Sequence, residues 1–257
     1  MIKIKENKIK NLRKKLSNKN LSIGSWIQIP CCETAEIMSD SKYDWIVIDM
    51  EHGSIDVSLL PNLIRSIEIG GSIPLVRIQE VNSHNCKSAL DAGAYGLILP
   101  MIKSSNDILN AIKYSCWPPK GKRGVGYSRA NMYGKYFSDY KYISQKPILV
   151  AQIENSEAVS DIENILKIKD LDAIMIGPYD LASTIGKKIS FNSKVFSKTI
   201  NNILKKSKQN NVPCGIHVVK PDQNILKKYI KQGYNFIAYS TDAYFLINGS
   251  ENPMERL

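Results

Sequence analysis

Two carboxylates in this chain each close a buried apolar run: Glu154 ends the stretch that begins at Ile148, and Asp180 follows the stretch that begins at Ala173. A charge at the end of a buried strand is costly unless something compensates it. For two such groups on consecutive strand ends, a divalent cation is the simplest compensation. The expected chemistry is that of a metal enzyme with Glu154 and Asp180 as ligands. Taken singly, either acid could instead cap a helix, because Ser156 lies beside one and a helix-like segment follows the other.

Further reactive types stand at neighbouring strand ends. Asp49, Glu51 and His52 follow one apolar run, Arg77 follows the next, and Gln152 and Tyr179 flank the two acids. Histidine titrates where proton transfer is useful, and arginine is a permanent forked cation suited to a developing oxyanion. Each has a plainer reading: a polar loop for Glu51 and His52, a structural ion pair with Asp49 for Arg77. Their coincidence at one end of one sheet is harder to explain that way.

The elements that would position these groups are strand candidates at 23–29, 45–49, 75–78, 96–99, 148–153, 173–176, 214–218 and 236–239, most of them short continuous apolar runs. Strands buried on both faces look like this. Helix-like segments 57–69, 85–91, 107–114 and 157–166 alternate with them, with start signals at Asp56, Ser83, Ser105 and Ser156. Eight strands alternating with helices predict a single-domain α/β fold, the (β/α)8 TIM barrel, over residues 21–257, preceded by a basic helix over 1–20. Reactive groups of such barrels sit at the C-terminal ends of the strands. The segment from Pro118 to Gly134 reads as a long loop after the fourth strand, forming a mobile wall over the site. Arg123 and Arg129 within it are then expected to act on an anionic group of the substrate. Gly124-Val125-Gly126 does not open a helix after a strand, so it is no dinucleotide fingerprint.

A chain of 257 residues, 43% hydrophobic and 23% charged, can bury one large core. It has no apolar stretch of membrane-spanning length and no apolar signal core at its start, so a soluble, cytoplasmic protein with no membrane partner is expected. Five cysteines without a CxxC pattern suit reduced thiols. The net charge of +11 comes mostly from scattered lysines, densest between Lys3 and Lys15. An amphipathic first helix with Ile9, Leu12 and Leu16 on one face explains that stretch, and no nucleic-acid motif accompanies it. Nucleic acid is therefore not an expected partner.

From Leu21 to Asn248 the chain resembles the metal-dependent class II pyruvate aldolases of the HpcH/HpaI type, within the phosphoenolpyruvate/pyruvate barrel superfamily. The resemblance rests on six ordered motifs: Asp44 to His52, Pro74 to Arg77, Asp91 to Pro100, Arg123 to Gly126, Gln152 to Glu154 and Gly177 to Leu181. It implies that Glu154 and Asp180 hold Mg²⁺, Mn²⁺ or Co²⁺. It also implies that Gln152 and the Tyr179–Asp180 segment contact pyruvate, that His52 is the base, and that Arg77 stabilises the enolate. The reaction would be reversible cleavage of a 4-hydroxy-2-oxo acid to pyruvate and an aldehyde, with no Schiff-base lysine.

The resemblance also implies that an aspartate at the position of Asp91 raises the basicity of the histidine, yet Asp91 lies ahead of the fourth strand, at the wrong end of its own barrel. It could serve a neighbouring subunit; otherwise Asp49 is the local residue to orient His52. The resemblance further implies a homo-oligomer, a hexamer among the forms it takes, with the C-terminal helix packed on a neighbour. Tyr179 stands where a small residue is usual, and Ala182 where a serine is. Two other readings remain at this level: a lyase acting on a CoA thioester, and a non-catalytic basic binding or scaffold barrel.

Overall fold

The computed structural model describes residues 2–185, 191, 193–252 and 254. Eight parallel strands, β1 (Ser22–Ile27), β2 (Trp45–Asp49), β3 (Ile73–Arg77), β4 (Gly96–Leu99), β5 (Ile148–Ile153), β6 (Ala173–Ile176), β7 (Cys214–Val218) and β8 (Phe236–Thr241), close in sequence order into a barrel. Helices α2 (Cys32–Asp40), α3 (Leu60–Gly70) and α4 (Ser83–Asp91) link the first four strands. α5 (Ser105–Ser115) and α6 (Phe137–Ile143) lie between β4 and β5, and α7 (Ser156–Ser160) and α8 (Ile162–Ile165) between β5 and β6. α9 (Pro178–Ile185), α10 (Lys194–Gln209), α11 (Gln223–Gln232) and α12 (Asp242–Gly249) complete the ring. The expected (β/α)8 TIM barrel is thus the observed fold. No helix among the described residues is long and apolar enough to cross a membrane.

Element boundaries differ from the sequence reading for local reasons. β1 stops at Ile27 because the N–H groups of Gln28 and Ile29 turn onto the Asp242 carboxylate, both at 2.9 Å. Asn82, Ser104 and Asn155, each one residue ahead of the expected serine, cap their helices. Asp56 closes a turn onto the Ser58 N–H, so α3 starts only at Leu60. The expected helix 157–166 is broken at Asp161, whose carboxylate accepts the Ser105 N–H at 2.6 Å instead of continuing a helical face.

Inside the barrel, Trp45 and Phe236 stack with centroids 4.3 Å apart. A Cβ at Gly24 would lie 2.1 Å from the Trp45 ring, so only glycine lets β1 pass this indole. The N-terminal helix, α1 (Ile2–Ser17), covers the end of the barrel where the strands begin. Its Ile2, Ile9, Leu12 and Leu16 join the core that holds Trp45, Ile73 and Phe236. Its cations clasp segments that precede strands: Lys8 on the Gly71 carbonyl, Arg13 on Asp172, Lys15 on Asp44.

Lys5 is fully inside this interface. Its Nζ donates to the carbonyls of Gly93 and Ala94 at 2.9 Å and lies 4.6 Å from the Tyr95 ring centroid. Burial pushes its pKa from 10.5 down to about 7, with Glu68 opposing. A lysine with a lowered folded pKa costs stability in full below pH 7, and the cost vanishes as pH rises to 10.5. The melting temperature of the wild type relative to that of Lys5→Met should therefore climb by several degrees between pH 7 and 10. A constant difference across that range would show that Lys5 stays charged in the fold.

The long segment after α5 corrects an expectation. α5 carries the chain back to the opposite end of the barrel, so residues 116–136 link α5 to α6 ahead of β5 and do not form a wall over the strand ends. Arg123 is buried there, with its guanidinium 5.6 Å from the Trp117 ring centroid, 3.1 Å from the Tyr140 hydroxyl and 3.9 Å from Asp91. Arg129 donates to the Ala92 carbonyl at 3.1 Å and pairs with Glu68. Neither arginine reaches its own barrel's mouth.

Candidate active site

The C-terminal strand ends converge on a cavity of about 270 Å³ lined by Trp26, His52, Arg77, Gln152, Asp180 and His217 among others. That lies just below the usual range of ligand cavities, roughly 300–1,000 Å³. It suits a substrate of a few carbons on each side of one bond.

Arg77 comes from the last position of β3, opposite Asp49 in the β2–β3 register. Its Nε and Nη2 donate to the two oxygens of Asp49 at 2.9 and 2.7 Å, and Nη1 lies 2.9 Å from Glu51. Two of its five N–H groups are thereby used in hydrogen bonds, because the Glu51 oxygen, though close, accepts none, which leaves three for a ligand. Asp49 is fully buried, and the Arg77 guanidinium holds its carboxyl below the usual range against the opposing effect of burial.

The expected role of Asp49 in orienting the His52 ring is not what the geometry shows. Asp49 accepts the backbone N–H groups of Glu51 and His52 at 3.2 and 3.3 Å, and the amide of Gln28 at 3.2 Å. With both oxygens committed to Arg77, it fixes the loop that carries His52, while the imidazole itself is exposed at the cavity and has no hydrogen-bond partner among the described residues. Asp91 is the last residue of α4, on the far end of the barrel beside Arg123, and so does not support His52 within one chain.

Glu154 follows β5 and is 1% exposed. One oxygen accepts the Met101 N–H at 2.6 Å, and the other accepts the Gln152 amide. Met101 adopts φ 51°, a left-handed conformation that costs a non-glycine residue roughly 1–2 kcal/mol and here aims an N–H at the carboxylate. Burial pushes the Glu154 pKa up to about 7, and the charges of Glu51 and Asp180 push the same way. Gly177 makes room for this carboxylate, because a Cβ there would sit 2.5 Å from its oxygen.

Asp180 stands in the first turn of α9, exposed toward the same space. Glu51 is also raised by burial, Asp49 and Asp180, with Arg77 opposing. Glu51 and Glu154, two acids whose carboxyls are raised by burial, with Asp180 beside them, make a hard-oxygen donor set that fits a small divalent cation. No group of three or more His, Cys, Asp or Glu side chains is drawn together at ligand geometry among the described residues. Glu154 and Asp180 could hold such an ion, with water and substrate oxygens completing its shell.

α9 begins at Pro178, and Leu181 is the first residue to donate back, to Gly177 at 3.0 Å. The N–H groups of Tyr179 and Asp180 are therefore free to meet an anion at a helix N-terminus. Tyr179 is half-exposed on the cavity rim, its ring edge-on to Phe191 at 4.9 Å. Trp26, Gln28, His217, Thr241 and Tyr244 also line the cavity and are not among the residues singled out from sequence. The strand-end rule applied to β1, β7 and β8 would have found most of them.

The sequence model described as HpcH/HpaI aldolase/citrate lyase matches residues 23–249. Proteins named 5-keto-4-deoxy-D-glucarate aldolase from Salmonella paratyphi A and Citrobacter koseri are 31% and 30% identical over 229 residues, 88% of this chain and 88% of each relative. The crystal structure of an HpcH/HpaI aldolase/citrate lyase family protein from Burkholderia cenocepacia J2315 superposes with a TM-score of 0.89 at 28% identity. The match covers 96% of this chain and 98% of that one.

Proposed function

We infer the reaction from a fixed premise: the chain belongs to the HpcH/HpaI aldolase/citrate lyase family and is an aldolase, a carbon–carbon lyase. We propose that it reversibly cleaves a 4-hydroxy-2-oxo acid to pyruvate and an aldehyde, with Mg²⁺, Mn²⁺ or Co²⁺ held by Glu154 and Asp180. The observation that carries this reading is the convergence of Arg77, Gln152, His52 and the α9 N-terminus on one small cavity beside Glu154.

In that reading the free N–H groups of Tyr179 and Asp180 receive the substrate carboxylate, and Gln152 contacts the oxo acid from the β5 side. A bound divalent cation supplies Lewis-acid polarisation of the 2-oxo group. His52 removes the proton of the C4 hydroxyl, and the bond between C3 and C4 breaks as that oxygen becomes the aldehyde. Arg77 turns its remaining N–H groups toward the oxygen that gains charge as pyruvate leaves in its enolate form. Asp49 and Glu51 keep the guanidinium in place during this change.

A homo-oligomer is part of the same reading. Asp91 and Arg123 lie at the far end of the barrel, flanked by exposed Val125, Tyr127, Met132 and Tyr133. A neighbouring copy could present Asp91 to His52, and exposed Leu246 and Ile247 suit α12 to packing on another subunit.

The test is pyruvate release from 4-hydroxy-2-oxo acids of graded length and charge, 5-keto-4-deoxy-D-glucarate among them. Protein stripped of metal and reloaded with each of the three ions should release pyruvate only when loaded. Failure to release pyruvate from any of these acids under any ion would overturn the reading.

A further inference from the structure

His217 is the inward-facing residue of β7 on the cavity wall, and nothing in the cleavage chemistry uses it. It is nevertheless held firmly. Its Nε2 lies 3.0 Å from the Ser240 carbonyl, and its ring packs against Trp26 with centroids 5.0 Å apart, tilted 30°.

The hold on His217 depends on an irregularity in the barrel. Between Gly24 and Trp26 the β1–β8 register shifts, so β8 carries one extra residue at this point. Ser240 takes φ 59°, and its carbonyl receives both His217 and the Ser25 hydroxyl, the latter at 3.3 Å. Left-handed backbone at a serine is tolerated when surrounding contacts over-determine it, and it gathers at ligand sites.

That contact sets the chemistry of the ring. A carbonyl only accepts, so Nε2 must carry the hydrogen. Burial favours the uncharged ring, which leaves Nδ1 a bare acceptor with no partner among the described residues. Arg77 packs against the same indole, its guanidinium carbon 5.5 Å from the Trp26 centroid. The oxo-acid half of a substrate is accounted for by Arg77, Gln152 and the α9 N-terminus, so the wall formed by His217, Trp26 and Thr241 faces what remains.

We infer that His217 determines specificity for the aldehyde half by accepting a hydrogen bond from one of its hydroxyl groups. The inference rests on the aldolase reading above and names the substrate class within it: hydroxylated, sugar-derived aldehydes. A fixed bare acceptor favours an O–H and gives an alkyl chain nothing. It repels a carboxylate oxygen at the same place. Sites built around a substrate hydroxyl reject analogues that lack it, because the buried polar group is left unpaired.

The experiment measures kcat/KM for aldol addition of pyruvate to glyceraldehyde and to propionaldehyde, in the wild type and in His217→Leu, His217→Gln and His217→Asn. The wild type should favour glyceraldehyde at least tenfold. His217→Leu should bring the ratio near one, as should His217→Gln, which keeps a donor able to reach Ser240 but lacks the Nδ1 acceptor. His217→Asn, with an oxygen near the place of Nδ1, should keep part of the preference. An unchanged ratio in His217→Leu overturns the inference; if that variant does not fold, an unchanged ratio in His217→Gln does so. A wild type with no preference also overturns it. Exchange of pyruvate methyl protons with solvent separates the two levels: a wild type that exchanges none with any of the three ions sinks the aldolase reading itself, whereas exchange with an unchanged aldehyde ratio sinks only the role of His217.

Discussion

Glu154→Gln is expected to lower metal-dependent pyruvate release by about 100-fold or more, since losing a ligand should exceed the ~10–100-fold cost of losing a group that only orients one. The barrel should not suffer. In the metal-free protein the Glu154 pKa is raised from 4.5 to about 7, so the folded state holds a proton that the unfolded state has already lost. Stability then falls as pH rises from 4.5 to 7, and the full cost of burying the charge is present above 7. The amide carries no such cost, so metal-free Glu154→Gln should melt higher than the wild type at pH 8 and about level with it near pH 4.

Adding Mg²⁺, Mn²⁺ or Co²⁺ should reverse the order at pH 8. An ion that binds only the folded state stabilises by RT ln(1 + [L]/Kd), which the wild type gains and the variant does not. Thermal melts with and without each ion read this directly. Equal shifts in both proteins would place the ion elsewhere.

The second large effect separates His52 from Arg77. His52→Ala removes an exposed side chain, so folding should be unaffected. Cleavage should fall by ~10²–10⁴-fold, the range for a lost general base. Exchange of pyruvate methyl protons should persist in part, because Arg77 still faces the oxygen that carries the charge. Arg77→Ala should lose both reactions. It also strips Asp49, fully buried, of its bidentate partner, which for buried pairs costs roughly 3–5 kcal/mol. Adding Asp49→Asn should return much of that stability and none of the activity. Equal and small effects of His52→Ala and Arg77→Ala on the two reactions would show that neither assignment holds, and recovery of activity in the double variant would make Arg77 a structural ion pair only.

The sequence by itself determined the barrel and its reactive end. Parallel strands covered on both faces are largely apolar, so most of the eight appear as near-continuous runs, and a carboxylate or arginine ending such a run marks the end where the chemistry is expected. Glu154, Asp180, Arg77 and Gln152 were legible for that reason. Only the tertiary structure decided who faces whom. Strand register sets Asp49 opposite Arg77 and turns a residue expected to serve His52 into the anchor of a guanidinium. One intervening helix, α5, moves Arg123 from the expected mouth to the opposite end of the barrel, because each helix reverses the chain across the full height of the sheet. Met101 and Ser240 could not be singled out from sequence, since what they contribute is a backbone conformation, φ 51° and φ 59°, that long-range packing imposes on residues with no local preference for it.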